Sequence, residues 1–115
     1  MRPETALHRQ IKRYLDKLGF RTVHVPNGAV LAGNPKQRAI QMNSLKSMGL
    51  TPGFPDLLVY GPDGKLGHIE IKIEGQHATD AQMEVEDWLT GWNHKFAVCR
   101  SLQDVADTLA EWGWE

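Results

Sequence analysis

The sequence has little that would tie it to a membrane or to an oxidising compartment. No run of apolar residues exceeds four in its 115 residues, whereas a helix that crosses a bilayer needs about 20. The single cysteine, Cys99, excludes an internal disulfide and a zinc site built from several cysteines. The opening residues are polar and lack the apolar centre of a secretory signal. We therefore expect a cytoplasmic protein.

The length and composition are those of one globular domain, which we expect to span residues 1–115. Hydrophobic residues make up 41% of the chain and charged residues 23%. These fractions are close to the average for a folded protein and exclude disordered and collagen-like chains.

Charge is divided unevenly between the two halves of the chain. Residues 1–50 carry nine Lys and Arg and two acids, whereas residues 51–115 carry four Lys and Arg and twelve acids. A polyanion bound to the basic half or a metal bound to the acidic half would explain the asymmetry. Two solvated faces of opposite charge also explain it, and charge alone favours this simpler interpretation.

Apolar periodicity and turn signals predict the element order αβαββαβα. Leu7, Ile11 and Leu15 recur at helical spacing, and Gly19 ends the first helix. Residues 56–60 and 68–73 read as two strands joined by a tight Pro-Asp-Gly turn, which makes an antiparallel hairpin. A helix then leads to a last strand, and such a crossover favours parallel pairing. The sequence therefore predicts an α/β fold with a mixed central sheet and helices on both faces.

Two carboxylates occupy informative positions on this hairpin. Asp56 opens one strand, and Glu70 lies on the polar face of the next, with Lys72 pointing the same way. Because the hairpin can bring Asp56 near Glu70, the pair suits Mg²⁺, which accepts one or two carboxylates and retains water and phosphate oxygens. The carbonyl of Ile71 is a candidate third ligand. Lys72 would orient or deprotonate an attacking water, or offset charge that develops on a phosphate.

The tripeptide acid-x-lysine is a weak signal by itself. Asp63-Gly-Lys65 matches it too, but lies in the turn, where no sheet fixes its direction, so we interpret it as chance. The spacing of Glu70 and Lys72 alone favours an exposed charge pair. Two features support a site instead: the other face of the strand is purely Ile, and a helix that carries Gln82 returns soon afterwards.

The combined pattern resembles a known family. Gly53-Phe-Pro-Asp56, Glu70-Ile-Lys72, Gln82 and an early Glu4 are similar to the VRR-NUC nucleases of the PD-(D/E)xK superfamily. Pro26-Asn27 is similar to a segment of the small stand-alone phage and bacterial members. The resemblance covers nearly the whole chain in the same element order.

This resemblance implies a restriction-endonuclease-like core and a set of roles. Asp56, Glu70 and the Ile71 carbonyl would bind Mg²⁺, for which Mn²⁺ can substitute, and Glu4 would add a ligand directly or through water. Lys72 would be the catalytic lysine, and Gln82 would support the catalytic site from its helix. The resemblance also implies a homodimer that cuts branched DNA, such as four-way (Holliday) junctions, in a bacterial or phage-infected cell.

Several further residues are candidates for contacts with DNA or with a second subunit. The candidate DNA contacts are Arg9, Lys12, Arg13, Asn27, Lys36 and Arg38. Trp112 and Trp114 lie at the end of the chain, where packing against a second subunit would bury them. His68 shares a face with Glu70, but the pattern favours an ordinary surface histidine.

The leading hypothesis is a Mg²⁺-dependent, structure-selective endodeoxyribonuclease. A sequence-specific or nicking endonuclease on the same fold is the alternative within the enzymes. A catalytically dead DNA-binding module and a small interaction protein are alternatives from other classes. The intact set of Asp56, Glu70, Lys72 and Gln82 argues against a dead module, because clustered acids would repel phosphates.

Overall fold

The predicted elements form in the predicted order. The protein is represented by a computed structural model that describes residues 2–26 and 31–115, so the candidate DNA contact Asn27 lies outside the described residues. The elements are α1 (Pro3–Lys17), β1 (Arg21–His24), α2 (Pro35–Ser47), β2 (Leu57–Gly61), β3 (Lys65–Ile71), α3 (Asp80–Gly91), β4 (Lys95–Cys99) and α4 (Leu102–Trp112). The α/β class and the order αβαββαβα are confirmed.

The four strands form one mixed sheet in the spatial order β1-β2-β3-β4. β2 pairs with β1 and with β3 in the antiparallel sense, whereas β3 and β4 are parallel. The tight turn between β2 and β3 has positive φ at Asp63 and Gly64, which an Asp-Gly pair tolerates. The register places Leu57 opposite Ile69, so Glu70 and Ile71 extend β3 beyond the start of β2, and Lys72 follows directly after the strand.

One face of the sheet holds the main apolar core. Ile69 and Ile71 of β3 pack there with Ile11 of α1 and Val105 of α4, and all four are almost inaccessible to solvent. Gly67 has no side chain because Trp112 lies against it: a Cβ at this position would be 2.3 Å from the indole ring. The clean alternation along β3 therefore places its apolar side chains towards α1 and α4.

The opposite face of the sheet carries α3 and the polar side chains of β3. Thr79 and Gln82 form the predicted capping box that begins α3, since each side chain bonds the backbone N–H of the other. His68 and Glu70 point to this face and are 5% and 4% exposed. The N-terminus of α3 thus lies over the polar side chains of β3.

The structure corrects two sequence-based expectations. His68 is buried, and its Nδ1–H donates to the carbonyl of Lys95 at 2.8 Å, so it is not a surface histidine. Trp114 stacks on Phe20 with ring centroids 5.9 Å apart, and Trp112 packs against the core. Both tryptophans are half-buried within the chain because α4 folds back onto the sheet, so they need no second subunit to cover them.

α2 differs from the other helices because it buries none of its side chains. Ile40 and, just beyond its end, Met48 are 60% and 73% exposed. Met42 and Leu45 of this helix are half-buried, so the described residues cover its apolar side chains only in part. None of the helices in the described part of the chain is long and apolar enough to cross a membrane.

Candidate active site

Asp56 is held at the start of β2 by hydrogen bonds at both its backbone and its side chain. Its carbonyl accepts from the backbone N–H of Val25 at 2.9 Å and from Nδ1–H of His24 at 3.1 Å. Its Oδ2 accepts from the backbone N–H of Ile71 at 2.8 Å. Ile69 is the last residue of β3 that pairs with the backbone of β2. The Asp56 carboxylate therefore extends the contact between the two strands to Ile71, and this bond fixes its direction.

Glu70 is a buried acid in direct contact with a second acid. Its Oε1 accepts from Nε2 of Gln82 at 3.3 Å, and its carboxyl also shares a hydrogen bond with Asp56. Burial, this hydrogen bond and the charge of Asp56 raise the pKa of Glu70 from its ordinary 4.5 to about 9. Glu70 and Lys72 are thus not the exposed charge pair that their spacing alone favours.

Lys72 lies just beyond the end of β3 and is 8% exposed. Its backbone N–H donates to the carbonyl of Cys99 at 3.1 Å, which continues the parallel pairing with β4. The positive charge of Lys72 acts on Glu70 and lowers the pKa of that carboxyl, against the larger effects of burial and of Asp56. The lysine therefore belongs to the same electrostatic cluster as the two acids.

A close backbone contact brings the turn before Asp56 onto the start of α3. Gly53 has φ +80°, and a Cβ there would lie 2.4 Å from the backbone carbon of Ala81. Only glycine fits this contact without moving the helix. Since Gln82 is the next residue of α3, the contact aligns the helix with the acid pair.

Glu4 approaches the site from the first turn of α1. Its Oε2 accepts from Nε2 of Gln76 at 3.2 Å, and its negative charge contributes to the raised pKa of Glu70. Among the described residues no group of three His, Cys, Asp or Glu side chains has the geometry to hold one metal ion.

A cleft of about 530 Å³ opens beside Asp56, between α1 and the edge strand β1. It is lined by Arg2, Glu4, Thr5, His8, Arg9, Lys12, His24 and Asp56. Two of the candidate DNA contacts, Arg9 and Lys12, thus reach the site, although Lys12 also forms an ion pair with Asp16. Arg13 is exposed on α1 and does not line the cleft, and Lys36 and Arg38 lie on α2.

Sequence reasoning missed the two histidines of this cleft. The rings of His8 and His24 meet edge to face with centroids 4.6 Å apart. Partial burial and the neighbouring His24 lower the pKa of His8, and Asp56 and Glu4 oppose that shift. Because the Asp56 carbonyl can only accept, Nδ1 of His24 carries the proton and Nε2 is left to face the cleft or solvent. Neither histidine has a metal-ligand spacing, so the sequence alone offers no signal for them.

The donor set of this cluster suits a hard divalent cation. The buried carboxylate of Glu70 and the half-buried carboxylate of Asp56 repel each other when both are ionised, and a divalent cation between them removes that repulsion. Mg²⁺ accepts such oxygen ligands and keeps several water molecules. Asp56, Glu70 and the Ile71 carbonyl are the groups here that would hold it.

Comparisons with known proteins identify the fold. No known family profile matches the sequence, and no curated protein matches it. A solved structure described as "VRR_NUC domain" is similar with a TM-score of 0.64 and 21% identity, and the match covers 94% of each chain. Another, described as "VRR_NUC domain protein", has a TM-score of 0.69 and 21% identity, with 96% of this chain and 88% of that chain covered. The chain therefore has the fold of a VRR-NUC domain, as the resemblance of its motifs implies.

Proposed function

We propose, from the VRR-NUC fold and the contact of buried Glu70 with half-buried Asp56, that this chain is a metal-dependent endodeoxyribonuclease. The observation that carries the proposal is that Glu70 is buried in contact with Asp56. Burial first, and then the hydrogen bond and charge of Asp56, raise the pKa of Glu70 to about 9. Burying one acid against a second acid destabilises the fold unless something compensates. Strongly perturbed acids of this kind cluster at functional sites.

In this proposal the cation is held by Asp56, Glu70 and the Ile71 carbonyl. When bound, Mg²⁺ or Mn²⁺ would polarise a phosphate oxygen and make a coordinated water more acidic. Gln82 holds Glu70 in its ligand orientation through the bond to Oε1. The Ile71 N–H does the same for Asp56. Both acids are therefore oriented before the metal arrives.

Lys72 is the proposed catalytic lysine. It is buried with the acid pair, and its charge acts on Glu70. An ammonium group at this place would stabilise negative charge that develops on the phosphate, and it would orient the attacking water. A preorganised charge that water does not screen is more effective than a solvated one.

DNA is the proposed polyanion of the cleft beside Asp56. Arg2, Arg9 and Lys12 supply positive charge along one wall, which suits a phosphate backbone that passes the acid pair. A binding module without catalysis is disfavoured, because it would gain nothing from burying Glu70 next to the phosphate path.

Branched DNA and a homodimer are the finer parts of the proposal. Each chain carries one such acid pair, and resolution of a four-way junction requires two incisions. A two-fold dimer supplies two sites in a fixed relation. Exposed apolar side chains on and beside α2, such as Ile40 and Met48, are candidates for the subunit contact.

The test uses the purified protein with a four-way junction, a linear duplex of the same sequence and a single strand. We expect incision of the junction with Mg²⁺ or Mn²⁺ and none with EDTA, and light scattering should give twice the chain mass. Glu70→Gln, prepared in parallel, controls for contaminating nucleases. Equal cleavage by that variant would refute the proposal, whereas preference for the linear duplex would favour the sequence-specific alternative.

A further inference from the structure

The loop between β3 and α3 is held by an arginine, Arg100, that directly follows the neighbouring parallel strand β4. Arg100 donates from Nη1 to the carbonyl of Ile73 and from Nη2 to the carbonyl of Gln76, both at 2.7 Å. The backbone N–H of Arg100 is itself held by Asp104 of α4 at 2.8 Å. A planar guanidinium that binds two carbonyls fixes both the position and the direction of the loop.

The side chain of Gln76 is oriented within this loop. Its Oε1 accepts from the backbone N–H of Ile73 at 2.9 Å. Since an N–H group can only donate, this bond assigns the oxygen of the Gln76 amide and leaves its Nε2 on the other side. Nε2 faces Oε2 of Glu4 at 3.2 Å, across 72 positions of the sequence.

Glu4 has little else in the described structure to hold it. α1 begins at Pro3, and its N-cap residue Arg2 makes no side-chain capping bond. A glutamate loses rotamer entropy when it is fixed in one orientation, so a free Glu4 would sample several directions. Its charge nevertheless acts on Glu70 and on His8, so the direction in which Glu4 points matters at the acid pair.

We propose that Gln76, braced by Arg100, is a positioning residue that holds Glu4 towards the metal site of Asp56 and Glu70. This inference rests on the proposed function, because it assumes that the acid pair binds a divalent cation. It adds two residues that have no contact with the acid pair in the described structure. The contact of Gln76 with Glu4 also links the loop between β3 and α3 to the first turn of α1.

A purely structural role for Gln76 is the competing interpretation, and one substitution separates the two. Gln76→Glu keeps an oxygen for the N–H of Ile73 but replaces the donor that faces Glu4 by an acceptor. The loop bond survives, whereas the carboxylate of Glu4 is repelled. Gln103→Glu is the matched control, because Nε2 of Gln103 donates to Oδ1 of Asp107 at 2.9 Å on the exposed face of α4.

The measurement is Mn²⁺ binding to the DNA-free protein, followed by electron paramagnetic resonance of the free ion. We expect Gln76→Glu to weaken Mn²⁺ binding about tenfold, as loss of a group that orients a metal-site carboxylate commonly does. Gln103→Glu should leave the affinity unchanged. Circular dichroism and the melting temperature of each variant show whether the fold is intact.

A double-mutant cycle decides whether the effect passes through Glu4. In a Glu4→Ala background, which we expect to bind Mn²⁺ about tenfold more weakly by itself, Gln76→Glu should cause no further loss. An equal further loss in that background would overturn the proposal, and so would unchanged or tighter binding by Gln76→Glu alone. If the unsubstituted protein binds no Mn²⁺, both the metal site and this inference fail; if it binds Mn²⁺ but cuts no DNA, only the nuclease proposal fails.

Discussion

The acid-x-lysine tripeptide occurs twice in this region, in two very different environments. It is Glu70-Ile-Lys72 at the end of β3 and Asp63-Gly-Lys65 at the turn between β2 and β3. Asp56 precedes β2 and contacts Glu70 on the covered face of the sheet, where Glu70 and Lys72 are 4% and 8% exposed. Asp63 and Lys65 lie at the exposed tip of the same hairpin, and Nζ of Lys65 makes only a long 3.4 Å bond to the carbonyl of Pro62.

The difference between the two motifs is physical rather than chemical. Asp63 has positive φ in a turn, where water solvates its charge. Glu70 is buried against a second acid and has its pKa raised to about 9. The comparison teaches that an acid-x-lysine sequence gains its chemistry from burial and from a fixed partner, and three paired substitutions test this.

The largest expected effect comes from the acids. Asp56→Asn should abolish metal-dependent cleavage, because an amide is a poor ligand for Mg²⁺ and removes half of the acid pair. Asp63→Asn should cleave at the parental rate, since asparagine tolerates positive φ and the side chain is exposed. Cleavage of a four-way junction under single-turnover conditions measures both variants. Equal activity of the two would show that Asp56 is not a metal ligand.

The second-largest expected effect on cleavage comes from the lysines. Lys72→Ala should slow cleavage by a factor of about 10²–10³, the usual loss for one preorganised charge stabiliser, with little change in junction affinity. Lys72→Arg should also be slow, because the guanidinium is larger and does not release its proton. Lys65→Ala is the matched control and should behave as the parent. Binding titrations are run at the same salt concentration, because phosphate contacts depend steeply on salt. If Lys72→Ala keeps the parental rate, Lys72 has no part in the chemistry.

The sequence predicts the acid pair well because short-range rules determine its position. The alternation of Ile69 and Ile71 with Glu70 decides which side chains share a face, and the hairpin turn decides which strand lies beside it. The cap formed by Thr79 and Gln82 is also local, and the structure confirms it.

The surroundings of the site could not be predicted in the same way because they depend on contacts between distant residues. Gln76 and Glu4 are 72 positions apart, and a polar residue in a loop carries no periodic signal. The contact of His24 with the Asp56 carbonyl arises only from the pairing of an edge strand. Trp112 fits against the sheet because residue 67 is glycine, which turn and cap rules do not address.

The smallest expected effect is on the stability of the metal-free protein. The folded protein keeps a proton on Glu70 up to a pKa of about 9, whereas the unfolded chain releases it near 4.5. Since the folded state holds more protons across this interval, its free energy of unfolding falls as the pH rises from about 4.5 to about 9. The burial of Glu70, its contact with Asp56 and the charge of Glu4 increase this dependence, and Lys72 opposes it.

Glu70→Gln removes the group that titrates and keeps a side chain of similar shape. In EDTA at pH 8 we expect it to melt at least about 5 °C above the parent, since such a shift corresponds to only about 1 kcal/mol for a domain of this size. At pH 5 the two proteins should melt at closely similar temperatures, because the parental Glu70 is protonated there. Asp63→Asn should follow the parental curve throughout. Parallel curves for Glu70→Gln and the parent from pH 5 to pH 8 would mean that Glu70 ionises as an ordinary surface acid, and the contrast between the two motifs would then be lost.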